Sequence, residues 1–338
     1  MKNTHYTISI LQVRNLLLGA RQRGIDVAPL LSRVGIAPQL LESPLARVSQ
    51  LQYSMLIRVL RHRLRDELWG MLSRPLAPGS FGQCMRQLLR CANLAEALRD
   101  GFCFYHLLQD DFVPRLRVHG SEASVQIVLR RPADPRLDYG TKIFLLFTFN
   151  AASWLIARRI PLTGVDYTTV STSNESLDAY QVAIRYGQPH LRLRFDARVL
   201  ALPVMQSLDE LPGFLRDSPA NLLLRYRDKS SVAERTRGLL RRRVGTAVPT
   251  LQRVGEALSI NPQTLRRRLH DEGYGFQQLK DEVRRDAAIE YLLHTTLPLG
   301  TIANRIGFSE LSTFHRAFKQ WVGVAPGEYR AVHGPPRR

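Results

Sequence analysis

The chain has 338 residues, more than one typical domain holds and enough for two. Lys and Arg total 48 against 29 Asp and Glu, and the resulting net charge of +19 favours a polyanionic partner such as nucleic acid. The cysteines Cys84, Cys91 and Cys103 form neither a disulfide framework nor a zinc spacing, and the most apolar run, Ile143–Ala157, falls short of the ~20 residues that span a bilayer.

From the amino terminus, Met1–Ile10 is polar and mixed, so no secretory leader is expected and the chain is placed in the cytoplasm with reduced thiols. An amphipathic segment over Ile10–Gln22 leads into DVAPLLSRVGIAPQLLES, a short helix-turn-helix-like string punctuated by Gly35 and Pro38. Val48–Leu68 carries apolar residues at helical spacing, through Leu51, Met55 and Val59 and through Leu56, Leu60 and Leu64. Gly79 and Gly82 flank Phe81 at a turn, and a helix is predicted over Gln83–Leu98, with Cys84 and Cys91 on one buried face. Phe102, Tyr105 and His106 cluster in one helical segment, read as packed aromatic core ahead of pocket wall. Asp110-Asp111 reads as a solvated pair in a loop.

The period then changes. RLRVHG and SVQIVLR alternate polar with apolar residues about a Gly120-Ser121 turn, which predicts an antiparallel hairpin. Ile143–Ala157 comes next as a buried core helix, and VDYTTV and HLRLRFDA read as strands. Residues 1–228 are therefore expected to form an α+β domain. Leu208–Lys229, broken by Pro212, Gly213 and Pro219, is the predicted linker, and Ser231–Val244 opens an all-α tail.

That tail contains one pattern twice, in Leu251–Leu279 and Leu299–Tyr329. Val254 aligns with Ile302, Leu258 with Ile306, Asn261 with Ser309, Leu265 with Phe314, Arg267 with Arg316, Leu269 with Phe318 and Gly273 with Gly323. Each copy reads as a helix-turn-helix. In the first, Leu251, Val254 and Leu258 are buried, Asn261 and Pro262 start the outer helix, and Leu265 and Leu269 face inward, exposing Gln263, Arg266 and Arg267. In the second, Phe314, Phe318 and Trp321 face inward, leaving Ser312, Thr313, His315, Arg316 and Lys319 outside. Phe276–Leu293 is the predicted spacer. Its ~27 Å of helix, at about 1.5 Å per residue, matches the ~34 Å between successive major-groove faces once turns are added. Val232–Arg338 carries 18 basic and 10 acidic residues, only modestly denser in positive charge than the rest, so the repeat locates the DNA-binding part and the charge does not.

The tail resembles the DNA-binding domain of the AraC/XylS transcription regulators over essentially all of Thr250–Arg330. The resemblance rests on TLRRRLHDEGYGF, IANRIGF and STFHRAFKQWVGVAPGEYR. By position it implies base contacts from Gln263, Arg266 and Arg267 in the first unit and from Ser312, Thr313 and Arg316 in the second. Phosphate contacts are expected from Arg268, Lys319 and the helix N-termini. Gly255 stands where the family has alanine, and at ~1 kcal/mol for a helix-interior glycine it is expected to loosen the first unit. DVAPLLSRVGIAPQLLESPLARVSQLQYSMLI and YQVAIRYGQPHLRLRFDARVL are similar to the arabinose-binding-type effector domain of the ornithine-regulator-like subgroup. The implied organisation is an effector-binding and dimerisation domain over 1–228 and a DNA-binding domain over 229–338.

The expected function is a ligand-responsive, sequence-specific transcription activator. Its expected partners are double-stranded DNA, RNA polymerase, a small-molecule effector and a second copy of the chain, with no membrane, metal or cofactor. Two other readings stand beside it. An enzyme with a DNA-targeting tail lacks support, because no G-x-S-x-G, P-loop, H-E-x-x-H or dinucleotide-binding glycine pattern occurs. A non-specific architectural protein would need mainly charge, whereas both outer helices carry hydrogen-bonding side chains.

Overall fold

The computed structural model describes residues 7–170, 180, 182–218, 231–245, 249–272 and 274–334. Pro219 of the predicted linker and Gly273 of the repeat lie outside them. The chain divides into two compact units. One comprises Asn15–Ile25 and Ile57–Asp228; the other joins Met1–Arg14 and Asp26–Leu56 to Lys229–Arg338.

The first of these units is α+β, as the change of period predicts. Its sheet has the order β3-β4-β7-β5-β6, with β3 Phe112–His119, β4 Glu122–Leu129, β5 Leu162–Asp166, β6 Ile184–Arg185 and β7 Leu191–Asp196. The hairpin closes where expected: His119 pairs with Glu122 across Gly120, whose φ of 56° suits glycine. In β7 the alternation buries Leu191, Leu193 and Phe195, while Arg192 and Arg194 lie on the other face. Those arginines and Arg185 converge on Asp166, which is fully buried, with Nε–carboxylate distances of 2.8 Å from Arg185 and 2.6 Å from Arg192. Desolvation alone would raise the Asp166 carboxyl, but the hydrogen bonds from Arg185 and Arg192 outweigh it and hold the group below the ordinary carboxylate range.

Helix α6 of this unit, Leu94–Leu108, packs against both α5 Ser80–Leu88 and α7 Pro135–Leu155. The single helix predicted over Gln83–Leu98 is in fact two. Asn93 accepts a hydrogen bond from the Glu96 N–H at 3.0 Å and so starts a new helix. Cys91 consequently lies beyond α5, yet it shares a buried cluster with Cys84, and burial pushes the two thiols up to about 11 and about 12. Helix α7 contains the apolar run as far as Leu155 and is capped by Asp134. Asp111 departs from its predicted solvated state: it is 2% exposed, accepts from the Ser73 N–H at 2.9 Å and pairs with Arg131 at 3.1 Å.

Among the described residues, the other unit is helical apart from a two-stranded sheet, β1 Thr7–Ser9 with β2 Arg47–Ser49. Its tail helices are α9 Val232–Arg242, α10 Leu251–Leu258, α11 Pro262–Asp271, α12 Phe276–His294, α13 Leu299–Arg305, α14 Leu311–Val322 and α15 Pro326–His333; α4 is Gln50–Leu64 and α8 is Leu211–Asp217. In α4, Leu56, Leu60 and Leu64 are buried as the periodicity requires, whereas Leu51 and Met55 are exposed. A chain-order reading groups residues 1–228 together. The structure packs two early segments with the tail, because they are tied to it by buried polar contacts. The Thr7 hydroxyl donates to Asp286 at 2.6 Å and accepts from Arg47 Nε at 2.7 Å, and the Tyr329 hydroxyl donates to the Arg47 carbonyl at 2.6 Å.

Candidate nucleic-acid interface

Each copy of the repeat folds into the predicted pair of helices. In the first, α10 and α11 share a core of Val254, Leu265 and Leu269 with Leu279 and Val283 of α12 and Ala233 and Leu240 of α9. Asn261 caps α11, accepting from the Gln263 N–H at 2.9 Å, and Pro262 occupies the first turn, where its missing N–H is harmless. Helix α9 is locked to this unit by Glu272, whose carboxylate accepts from the Val232 and Ala233 N–H groups at 2.9 and 2.8 Å.

Gly255 has a packing environment that helix propensity does not register. A Cβ at this position would lie 2.7 Å from the Ile260 carbonyl oxygen, in the backbone of the turn itself. The Ile260 N–H donates back to the Gly255 carbonyl at 2.9 Å. The glycine therefore lets the turn fold tightly against α10, where an alanine would crowd the Ile260 carbonyl. The left-handed position of this turn is held by Ser259 (φ 55°) and that of the second by Gly307 (φ 84°).

In the second copy, Ile302, Ile306, Phe314 and Phe318 are fully buried, and rings stack edge-on from Phe314 through Phe318 to Tyr329. Trp321, predicted to face inward, is only half-buried against Phe308; Val322 takes the buried position. The turn is held from outside the repeat. Arg284 of the spacer helix donates to the Ile306 carbonyl at 3.1 Å and the Gly307 carbonyl at 2.7 Å, and its guanidinium lies 4.7 Å from the centre of the Phe308 ring. Nothing in the repeat pattern points to Arg284. Its signal, an arginine on the spacer stripe beside Val283, becomes legible only with the fold in hand.

The two outer helices present different faces. On α11, Gln263, Arg266, Arg267 and Arg268 are all exposed, and the three arginines make no ion pair among the described residues. On α14, Ser312, Thr313, Arg316 and Lys319 are exposed, with the Ser312 hydroxyl 3.4 Å from the Glu310 carboxylate. His315 differs from its prediction. It is half-buried beside Phe314, and its Nε2 is enclosed without a hydrogen-bond partner among the described residues. Between the faces, α12 spans 19 residues and contributes Leu279 and Val283 to one unit and Arg284 to the other. Such an arrangement can offer two cationic, hydrogen-bonding helices held by one rod.

Among the described residues no helix is long and apolar enough to cross a membrane, and no group of His, Cys, Asp or Glu is placed to hold a metal.

Comparison with known proteins finds two domain matches along the chain. The arabinose-binding domain of AraC transcription regulator matches residues 24–204, and a helix-turn-helix domain matches residues 254–331. The ornithine utilization regulator of Pseudomonas aeruginosa is 25% identical over 91% of each chain. An uncharacterized HTH-type transcriptional regulator of Mycobacterium tuberculosis is 28% identical over 92% of each. Among solved structures, the transcriptional regulator CdpR from Pseudomonas aeruginosa covers 95% of this chain and 98% of its own, at 19% identity and a TM-score of 0.32. These matched domains are those of regulators and not of enzymes. Because an effector-type domain and a helix-turn-helix domain succeed one another over most of its length, the chain belongs to the AraC family of transcription regulators.

Proposed function

We propose that α11 and α14 enter successive major grooves of one duplex and read it as a pair, with α12 as a rigid spacer. The observation that carries this reading is the outer face of α11: Gln263, Arg266, Arg267 and Arg268 exposed on a helix whose inner residues, Leu265 and Leu269, are fully buried. Four exposed polar side chains on a rigid helix suit base edges and phosphates better than bulk water alone. Gln263, Arg266 and Arg267 meet bases in the first half-site, and Ser312, Thr313 and Arg316 meet them in the second. Arg268 and Lys319 bind phosphate. His315, half-buried, acts by packing beside Phe314 and leaves base contact to its neighbours.

Residues 229–338 supply DNA binding, and residues 1–228 supply effector binding and dimerisation. The protein acts as a homodimeric activator that contacts RNA polymerase. Fluorescence anisotropy of the full chain on its own upstream DNA and on a shuffled control tests the reading. Arg316→Ala is expected to lose about 1–3 kcal/mol on the cognate site and to relax preference at one base. A loss that is equal on both DNAs would make Arg316 a phosphate contact, and unchanged binding would remove it from the interface.

A further inference from the structure

The α+β unit contains a cavity of about 260 Å³ between α5, α6 and α7. A dry cavity of about 150 Å³ holds benzene, so this one has room for roughly ten non-hydrogen atoms. Its wall is dominated by rings and aliphatic chains, among them Phe81, Phe102, Tyr105, Phe144 and Phe147. Phe102 and Tyr105, read from the sequence as packed core, thus face an opening, whereas His106 is exposed elsewhere.

Polar groups in the wall are few and specific. The Tyr105 ring is fixed edge-on to Phe144 at 5.0 Å, and its hydroxyl makes no hydrogen bond among the described residues. Tyr105 is half-buried, and desolvation of its hydroxyl pushes that group well above the ordinary range. The charged lining residues are Arg61 and Glu67, one of each sign. Glu67 already accepts the Gly79 and Phe81 N–H groups at 2.7 Å each, and burial raises its carboxyl. A further charge placed among the rings would be desolvated, whatever its sign.

Resting on the reading of this unit as an effector domain, we propose that the cavity binds an uncharged, largely apolar molecule of roughly ten non-hydrogen atoms, whose single hydroxyl or carbonyl pairs with the Tyr105 hydroxyl. The apolar lining supplies the affinity. The tyrosine selects the polar end, and the apolar wall disfavours anions and cations alike by desolvating them.

Isothermal titration of the full chain without DNA tests this, using 4-propylphenol, 4-ethylbenzoate and 4-ethylbenzylamine as neutral, anionic and cationic probes. The phenol is expected to bind saturably with one site per chain, and both charged probes at least about tenfold more weakly. Ala151→Phe, which fills the cavity, is expected to abolish binding while the circular dichroism spectrum is kept; Tyr105→Phe is expected to weaken the phenol about fivefold. If Ala151→Phe does not fold, the ranking of the probes and Tyr105→Phe decide. No saturable phenol binding, a charged probe that binds more tightly, or full affinity in folded Ala151→Phe would each overturn the proposal. Because DNA is absent from the assay, failure here is separate from failure of the two-groove reading.

Discussion

In the first helix-turn-helix unit the turn closes on itself: Gly255 admits the Ile260 carbonyl, and Asn261 caps the outer helix with its own side chain. In the second, Glu310 makes no such cap, and the turn carbonyls of Ile306 and Gly307 are satisfied by Arg284 from the spacer. One unit is stabilised locally and the other by a long-range contact. Their outer faces differ in parallel, with three adjacent arginines on α11 and a sparser set of Ser312, Thr313, Arg316 and Lys319 on α14. The difference teaches that two copies of one sequence pattern can depend on different parts of the molecule. The first unit exposes more positive charge, and the second has its turn fixed by the spacer.

The largest expected effect comes from stripping the charge of the first face. Replacing Arg266, Arg267 and Arg268 together with Ala should abolish tight binding and reduce the salt slope of log affinity by roughly one unit for each arginine that met a phosphate. An unchanged slope would place the charge elsewhere. Next is Arg284→Ala, which removes two charge-assisted hydrogen bonds and the packing on Phe308. It should destabilise the helical unit by about 1.5–3 kcal/mol in thermal unfolding and weaken DNA through the second half-site alone. Equal weakening at both half-sites would erase the contrast between the units.

Gly255→Ala sharpens the comparison through its sign. Helix propensity predicts a gain of about 1 kcal/mol, whereas overpacking against the Ile260 carbonyl predicts a loss of about 1–3 kcal/mol. Urea unfolding distinguishes them, and any stabilisation would contradict the turn geometry. Asn261→Ala should cost about 1 kcal/mol, and Glu310→Ser, which installs the missing cap, should add about 0.5–1 kcal/mol.

A separate effect concerns pH. Glu290 of the spacer is pushed up to about 7, by burial first and by the neighbouring Asp286 second, and His294 lies 3.6 Å from it. A carboxyl raised in the folded state contributes stability that is complete below its unfolded value and is lost as pH rises through the folded one. Stability should therefore fall between pH 4.5 and about 7, and Glu290→Gln should flatten that fall. An identical pH profile in the variant would assign the titration to another group.

Much of the frame is legible in the sequence because it depends on residues close along the chain. The alternation of RLRVHG and SVQIVLR about Gly120-Ser121 and the Asn261-Pro262 helix start are local signals, and the structure forms both. The residues that escape sequence reasoning act at long range. Thr7 and Asp286 are 279 positions apart, so no periodicity could join the first strand to the spacer helix. Asp111 reads as solvated beside Asp110 until Ser73 and Arg131 are brought to it. Gly255 reads as a defect because propensity counts only the helix it sits in, and the decisive atom belongs to the adjoining turn. The cavity is hidden for a similar reason: aromatic residues at helical spacing look alike whether they fill a core or line an opening.

The measurement closest to the central claim is the affinity of the full chain for a selected two-half-site duplex with zero or five base pairs inserted between the halves. Five base pairs turn the second half-site by about half a helical turn away from the protein. If α12 holds both reading helices as one rod, the insertion should cost nearly as much affinity as deleting the second half-site. Affinity that survives the insertion would show two independent heads and contradict the account.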